Sequence, residues 1–239
     1  MSTPTPRPTS RPGWLGDDSA GAGLRILLLR HGQTPMSVAG VFSGRSDPEL
    51  TDTGQDQAAR AAEYLARRQD AGEGISRIIS SPLTRTRQTA AAASDVLGLD
   101  VTTDEGLIES DFGAWEGLTF TEVHTRWPAE HEAWCVDSSA PAVGGEAMGA
   151  VEQRSAALIE RLHGEHGEHG EHGEPGDTGM QTVLMVSHVS PIKAILRKAL
   201  DVPARMYSTL HLDLAGLSVV EFYPRRSVVT EVNDTHYLR

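Results

Sequence analysis

Two runs of this sequence constrain the fold more than anything else in it. Residues 24–30 read LRILLLR and residues 182–187 read TVLMVS, and each is followed at once by a histidine, His31 and His188. A strand this apolar must be covered on both faces, which calls for helices on either side of a sheet. A strand meeting solvent would also end in polar residues. Two histidines at equivalent strand ends are hard to ascribe to that, because the carboxyl ends of parallel strands are where such sheets hold ligands.

The text between and beyond these runs alternates helix and strand. Residues 58–68 (AARAAEYLARR) are helical by composition, with Asp52, Thr53 and Gly54 as entry signals. ISRIISS (75–81) reads as a strand, and PLTRTRQTAAAASDVLG as a helix opened by Pro82 and closed by Gly98. A short strand is expected at 101–103, then a helical stretch over 120–134 that Pro128 divides. Further helices are expected at 146–162 and 191–200, and strands in HLDL, LSVVEFY and SVVTEV near the C-terminus. This order predicts an α/β fold, a three-layer α/β/α sandwich around a mostly parallel central sheet.

Two segments stand apart. Residues 1–23 are rich in Pro, Thr, Ser and Gly, and a disordered N-terminal tail is expected, because these residues cannot offset ordering entropy by burial. The folded domain is then 24–239. From His163 the chain repeats His-Gly-Glu four times, carrying four of its ten histidines. The glycines disfavour helix, so the imidazoles gain no fixed geometry for a metal; a mobile loop over 163–180 is expected, with adventitious zinc or nickel binding as the alternative.

The bulk numbers exclude several functions. A net charge of −12 leaves nothing general to neutralise nucleic-acid phosphates or to hold an acidic membrane, so any bound anion needs a local positive site. One cysteine, Cys135, cannot form an intramolecular disulfide and fits a reducing compartment. No apolar run approaches the roughly 18 residues of a membrane span, and residues 1–23 lack the apolar core of a secretory signal. A cytoplasmic protein is expected.

Four separated blocks hold the residue types that phosphoryl chemistry through histidine needs. Arg30–His31–Gly32 sets a nucleophile beside a cation, with a glycine leaving room for close approach. SSPLTRTRQTA (80–90) brings Arg85 and Arg87 to a helix start, and arginine can grip a phosphate with two parallel bonds. LIESDFGAWEG (107–117) carries Glu109, Asp111 and Glu116, and residue chemistry alone does not choose among them as a proton donor. VSHVSPIK (186–193) adds His188. Arg87, two residues from Arg85, points elsewhere on a helix and is expected in solvent or an ion pair. Trp115 and Trp134 are expected in the core or at a rim.

These blocks, with GRSDPELTDTGQDQA and GGEA in their places, resemble in kind and order the histidine phosphatase superfamily, also called phosphoglycerate-mutase-like, over nearly all of residues 24–235. Within it, the chain is most similar to the acid phosphatase half of actinobacterial ribonuclease H/acid phosphatase proteins and to α-ribazole phosphatases; the ribonuclease part has no counterpart in this sequence. The resemblance implies a metal-independent phosphomonoesterase with no cofactor. His31 would be the nucleophile, Arg30, Arg85 and His188 a positive cradle, and Glu109 the proton donor. It places Ser37, Ser43, Gly44, Arg45 and Val189 around the substrate. Ser37 stands where many members have asparagine, and Val189–Ser190 where a glycine pair is usual. The implied partner is a small phosphorylated substrate, with no nucleic acid and no membrane, and a homodimer is compatible with it. Segment 119–145 would form a cap over the site. Phosphoglycerate mutase chemistry is the first alternative, disfavoured by the lack of a second basic cluster. A non-catalytic phospho-ligand-binding module is another, disfavoured by the retention of every catalytic residue type.

Overall fold

The structure is a computed structural model that describes residues 23–137, 140–169 and 179–239. The expected N-terminal tail therefore lies outside the described residues, save Gly23.

The two apolar runs form β1 (Gly23–Arg30) and β4 (Met180–Ser187), which pair in parallel at the centre of the sheet. The other strands are β2 (Ile75–Ser80), β3 (Val101–Thr103), β5 (Leu217–Tyr223) and β6 (Arg226–Asp234), in the order β3-β2-β4-β1-β5-β6. Pairing is parallel from β3 to β1 and antiparallel at β1–β5 and β5–β6, so β5 alone runs against the rest.

Alternation along β1 builds the layers. Leu24, Ile26 and Leu28 face a core with Leu158, Ile159, Ile195 and Leu196, while Leu27 and Leu29 face a second core with Ala61, Leu65, Ala90 and Ala93. The first core belongs to α6 (Met148–His169) and α7 (Val189–Leu200), the second to α2 (Asp52–Asp70) and α3 (Thr84–Leu97). A short helix α1 (Pro35–Ala39) follows β1, α4 (Phe120–Arg126) and α5 (Pro128–Val136) lie beyond β3, and α8 (Met206–Thr209) follows α7. Pro128 does open α5, and Gly98 closes α3 in the left-handed conformation that glycine adopts without strain. Thr51, one residue before the expected signals, caps α2 by accepting from Gly54 N. No helix among the described residues is long and apolar enough to cross a membrane.

Three expectations are corrected. Pro82 does not open α3, which begins at Thr84 with Leu83 at its N-cap. HLDL (211–214) is irregular, although its neighbours are strands; Arg30 Nη1 takes the Leu212 carbonyl and the Asp213 amide turns to Asn233 Oδ1, so the segment serves a turn. The backbone of α6 continues through His169, into the repeat expected as a loop. Contacts of the first triplet outside the helix work against the helical cost of glycine, about 1 kcal/mol per residue. The His163 ring stands edge-on to Phe222 at 6.1 Å, and Glu165 pairs with Arg77 at 2.7 Å. Residues 170–178 of the expected loop lie outside the described residues.

Candidate active site

The register of β1 and β4 places Arg30 opposite Ser187, so His31 and His188 leave the sheet side by side. His31 is pinned through its backbone: its amide donates to the Ser187 carbonyl at 3.0 Å, and its carbonyl accepts from Ala215 N at 3.1 Å. Its Nδ1 lies 2.7 Å from the Gly32 carbonyl, which can only accept; Nδ1 therefore carries the hydrogen and Nε2 keeps its lone pair. The residue is 6% exposed. Burial, reinforced by Arg30 and Arg85, drives its pKa well below the usual range, so the imidazole is neutral. Gly32 makes a close approach to α2, since a Cβ there would overlap the Gly54 carbonyl.

Arg85, in the first turn of α3, is buried completely enough that its bonds define the floor. It donates through Nη1 to Ser46 O at 2.6 Å, and through Nη2 to Gly44 O at 3.0 Å and Ser43 O at 3.2 Å. Its Nε donates to His188 Nδ1 at 3.2 Å. Because the guanidinium cannot accept, the His188 hydrogen is on Nε2, which lies 2.8 Å from Ser81 Oγ. Burial first, then Arg85 and the neighbouring cations, push the His188 pKa well down. The second histidine is thus a neutral hydrogen-bond donor, and the cradle expected as three cations carries its charge on two.

Arg30 is tethered at one end only. Nη1 donates to Leu212 O at 2.6 Å, while Nε is buried with no partner among the described residues. Burial lowers its pKa to about 10 against the pull of Glu109 and Asp213, so it remains charged at neutral pH. Ser43 Oγ is likewise buried without a partner. Unsatisfied buried donors cost stability, and these two border one cavity.

The three acids separate by their partners. Glu109 is buried, with Oε1 accepting from Ser110 N at 2.7 Å and from Ser190 N, in the first turn of α7, at 3.2 Å. Asp111 accepts from Gly113 N within its own turn, and Glu116 accepts from Gly44 N and Ser46 N. Of the three, Glu109 alone lines the cavity, which encloses about 300 Å³.

Among the sequence-predicted residues, Arg30, His31, Ser37, Ser43, Glu109 and Val189 line this cavity, and Arg85 and His188 lie behind it, bonded to each other. Gly44 and Arg45 are not on the lining: the Gly44 amide belongs to Glu116, and Arg45 is exposed beside Glu146 at 3.4 Å. Ser37 reaches the cavity, but its hydroxyl is engaged with Thr34 in a capping box, donating to Thr34 O at 2.8 Å. Arg87 is exposed and reaches Thr84 Oγ1 at 3.2 Å. Trp115 is fully buried, whereas Trp134 is on the cavity wall.

Lys193 and Arg154 are among the residues that sequence reasoning missed. Lys193 lines the cavity with its Nζ on the Tyr207 carbonyl at 2.7 Å, and its spacing of four from Val189 on one helix was the available signal. Arg154 holds the Ile108 and Glu109 carbonyls at 2.7 and 3.2 Å and so sets the Glu109 loop; nothing local in the sequence points to that role. No group of three or more His, Cys, Asp or Glu among the described residues could hold a metal ion.

Comparison with known proteins places the chain among phosphatases of one superfamily. The family model for the histidine phosphatase superfamily (branch 1) matches residues 26–235. A bifunctional protein of Mycobacterium tuberculosis is 46% identical over 98% of this chain, and the chain spans 59% of that protein's length. Phosphoserine phosphatase 1 of Hydrogenobacter thermophilus is 29% identical over 90% of this chain and 94% of its own. Among solved structures, a mycobacterial glucosyl-3-phosphoglycerate phosphatase in complex with VO3 superposes with a TM-score of 0.77 at 30% identity, over 88% of this chain and 99% of that one.

Proposed function

Because the chain belongs to the histidine phosphatase superfamily (branch 1), we propose that it hydrolyses phosphomonoesters of small molecules through a phosphohistidine formed on His31. The observation that carries this reading is the state of His31. A neutral imidazole is held by its Nδ1 hydrogen and offers a free Nε2 in a cavity that also holds a buried carboxyl and an unpartnered arginine donor.

In the first step His31 Nε2 attacks phosphorus in line, the ester P–O bond breaks, and Glu109 in its acid form passes its proton to the leaving alkoxide. Arg30, through Nε, and the Ser43 hydroxyl meet the equatorial oxygens, where charge builds in the transition state. Arg85 contributes its charge from the floor, and His188, bonded to Arg85 and Ser81, holds that floor in place. In the second step Glu109 takes a proton from water as it attacks the phosphohistidine, the N–P bond breaks, and inorganic phosphate leaves with the enzyme restored.

The test is p-nitrophenyl phosphate hydrolysis with and without EDTA, together with acid–base quenching after exposure to a 32P-labelled ester. The expected result is EDTA-insensitive turnover and a base-stable, acid-labile label, both lost in His31→Ala. Full activity in that variant would overturn the reading.

A further inference from the structure

The cavity has two chemically distinct halves. Arg30, His31, Ser43 and Glu109 make one, and the other is walled by Val41, Phe42, Phe112, Phe120, Trp134 and Val136. The rings of that wall are locked against each other. Phe42 stands edge-on to Phe112 at 5.0 Å and to Trp134 at 5.8 Å, and stacks on Phe120 at 5.4 Å. Such edge-to-face and offset contacts pre-form an apolar surface, so a ligand need not order it on binding.

Charge in the leaving-group half runs against a second anion. Among the described residues, Lys193 is the only lysine or arginine on the lining besides Arg30, and its ammonium is turned onto the Tyr207 carbonyl at 2.7 Å. Burial lowers its pKa, so its charge is less readily held than that of a solvated lysine. Asp137 lines the cavity as well. A carboxylate or second phosphate on the leaving group would exchange water for aromatic faces, whose negative quadrupoles repel it.

We propose that this site selects phosphomonoesters of alcohols that carry a flat aromatic ring and no second anionic group, the ring lying against the Phe42–Phe120–Trp134 wall. The proposal rests on the phosphatase reading and names the substrate class of that same site. Two of the wall residues remain part-open at the mouth, with Phe120 52% and Val136 73% exposed, so a ring bound there removes apolar surface on both sides from water.

The test compares kcat/KM for 2-phenylethyl phosphate, ethyl phosphate and 3-phosphoglycerate. All three release alcohols of low acidity, so the comparison is not biased by the easy departure of a phenol. We expect 2-phenylethyl phosphate to exceed ethyl phosphate by about 10- to 100-fold, and 3-phosphoglycerate by more. Equal or reversed values, with hydrolysis intact, would overturn the substrate class and leave the phosphatase reading standing. Turnover of none of the esters, p-nitrophenyl phosphate included, would overturn both. Two variants at exposed positions locate the preference. Phe120→Ala is expected to cut the phenylethyl-to-ethyl ratio about tenfold, and Val136→Lys to raise kcat/KM for 3-phosphoglycerate at least threefold. Ratios unmoved in both would show that this wall does not choose the substrate.

Discussion

His31 and His188 follow neighbouring parallel strands, and their rings lie 5.2 Å apart, both buried and both neutral. They differ in what their nitrogens meet. His31 spends one nitrogen on its own neighbour's carbonyl and keeps the other free, whereas His188 spends one on Arg85 and the other on Ser81. An imidazole with a free lone pair can attack; one bonded at both nitrogens positions the groups it is bonded to. Strand ends supply the place, and hydrogen-bond partners assign the work.

Replacing the two histidines is the strongest way to break that contrast. His31→Ala removes the atom proposed to attack, whereas His188→Ala is expected to slow kcat by about 10²- to 10³-fold, through loss of the ring that positions Arg85, and to leave a phosphohistidine that can still be trapped. Absence of the trapped species from His188→Ala would show that both rings act as one unit.

Acid probes what the two rings share. Both folded pKa values lie below the unfolded value near 6.5, so the unfolded chain binds more protons as the pH drops. The stability linked to them is fully present above about pH 6.5 and declines below it, at about 1.4 kcal/mol per pH unit for each imidazole that protonates only on unfolding. Denaturant midpoints measured from pH 7.5 to 5 check this, and His188→Asn is expected to flatten the slope. An unchanged slope would mean that other groups govern acid sensitivity.

The smallest effect isolates one hydrogen bond. Ser81→Ala removes the partner of His188 Nε2 and is expected to lower kcat by no more than about tenfold, with a stability loss of about 1 kcal/mol. A drop as large as that of His188→Ala would show that Ser81 and His188 position Arg85 as one unit.

Much of the fold was legible because it rests on local patterns. The runs at 24–30 and 182–187 read as strands from their apolarity, Pro128 and Gly98 mark helix boundaries, and the strand-end histidines lie where parallel strands end. The repeat from His163 shows where local reasoning stops. Its glycines argue against helix, yet Phe222 and Arg77, distant in sequence, hold its first triplet in one. Gly44 and Arg45 teach the same point, since Glu116 and Glu146 turn them away from the cavity.

The sequence by itself determined the class of the fold, the order of its strands and helices along the chain, and the residue types available for phosphoryl transfer. Those follow from apolar period and turn chemistry, which act over a few residues. Only the tertiary structure decided that Glu109 and not Asp111 or Glu116 faces the cavity, that His31 and not His188 keeps a free nitrogen, and that one wall of the cavity is aromatic. Each depends on partners far apart in the chain, such as Ser190 for Glu109 and Ser81 for His188, and a hydrogen bond across about 80 to 110 residues exists only once the sheet has brought its ends together.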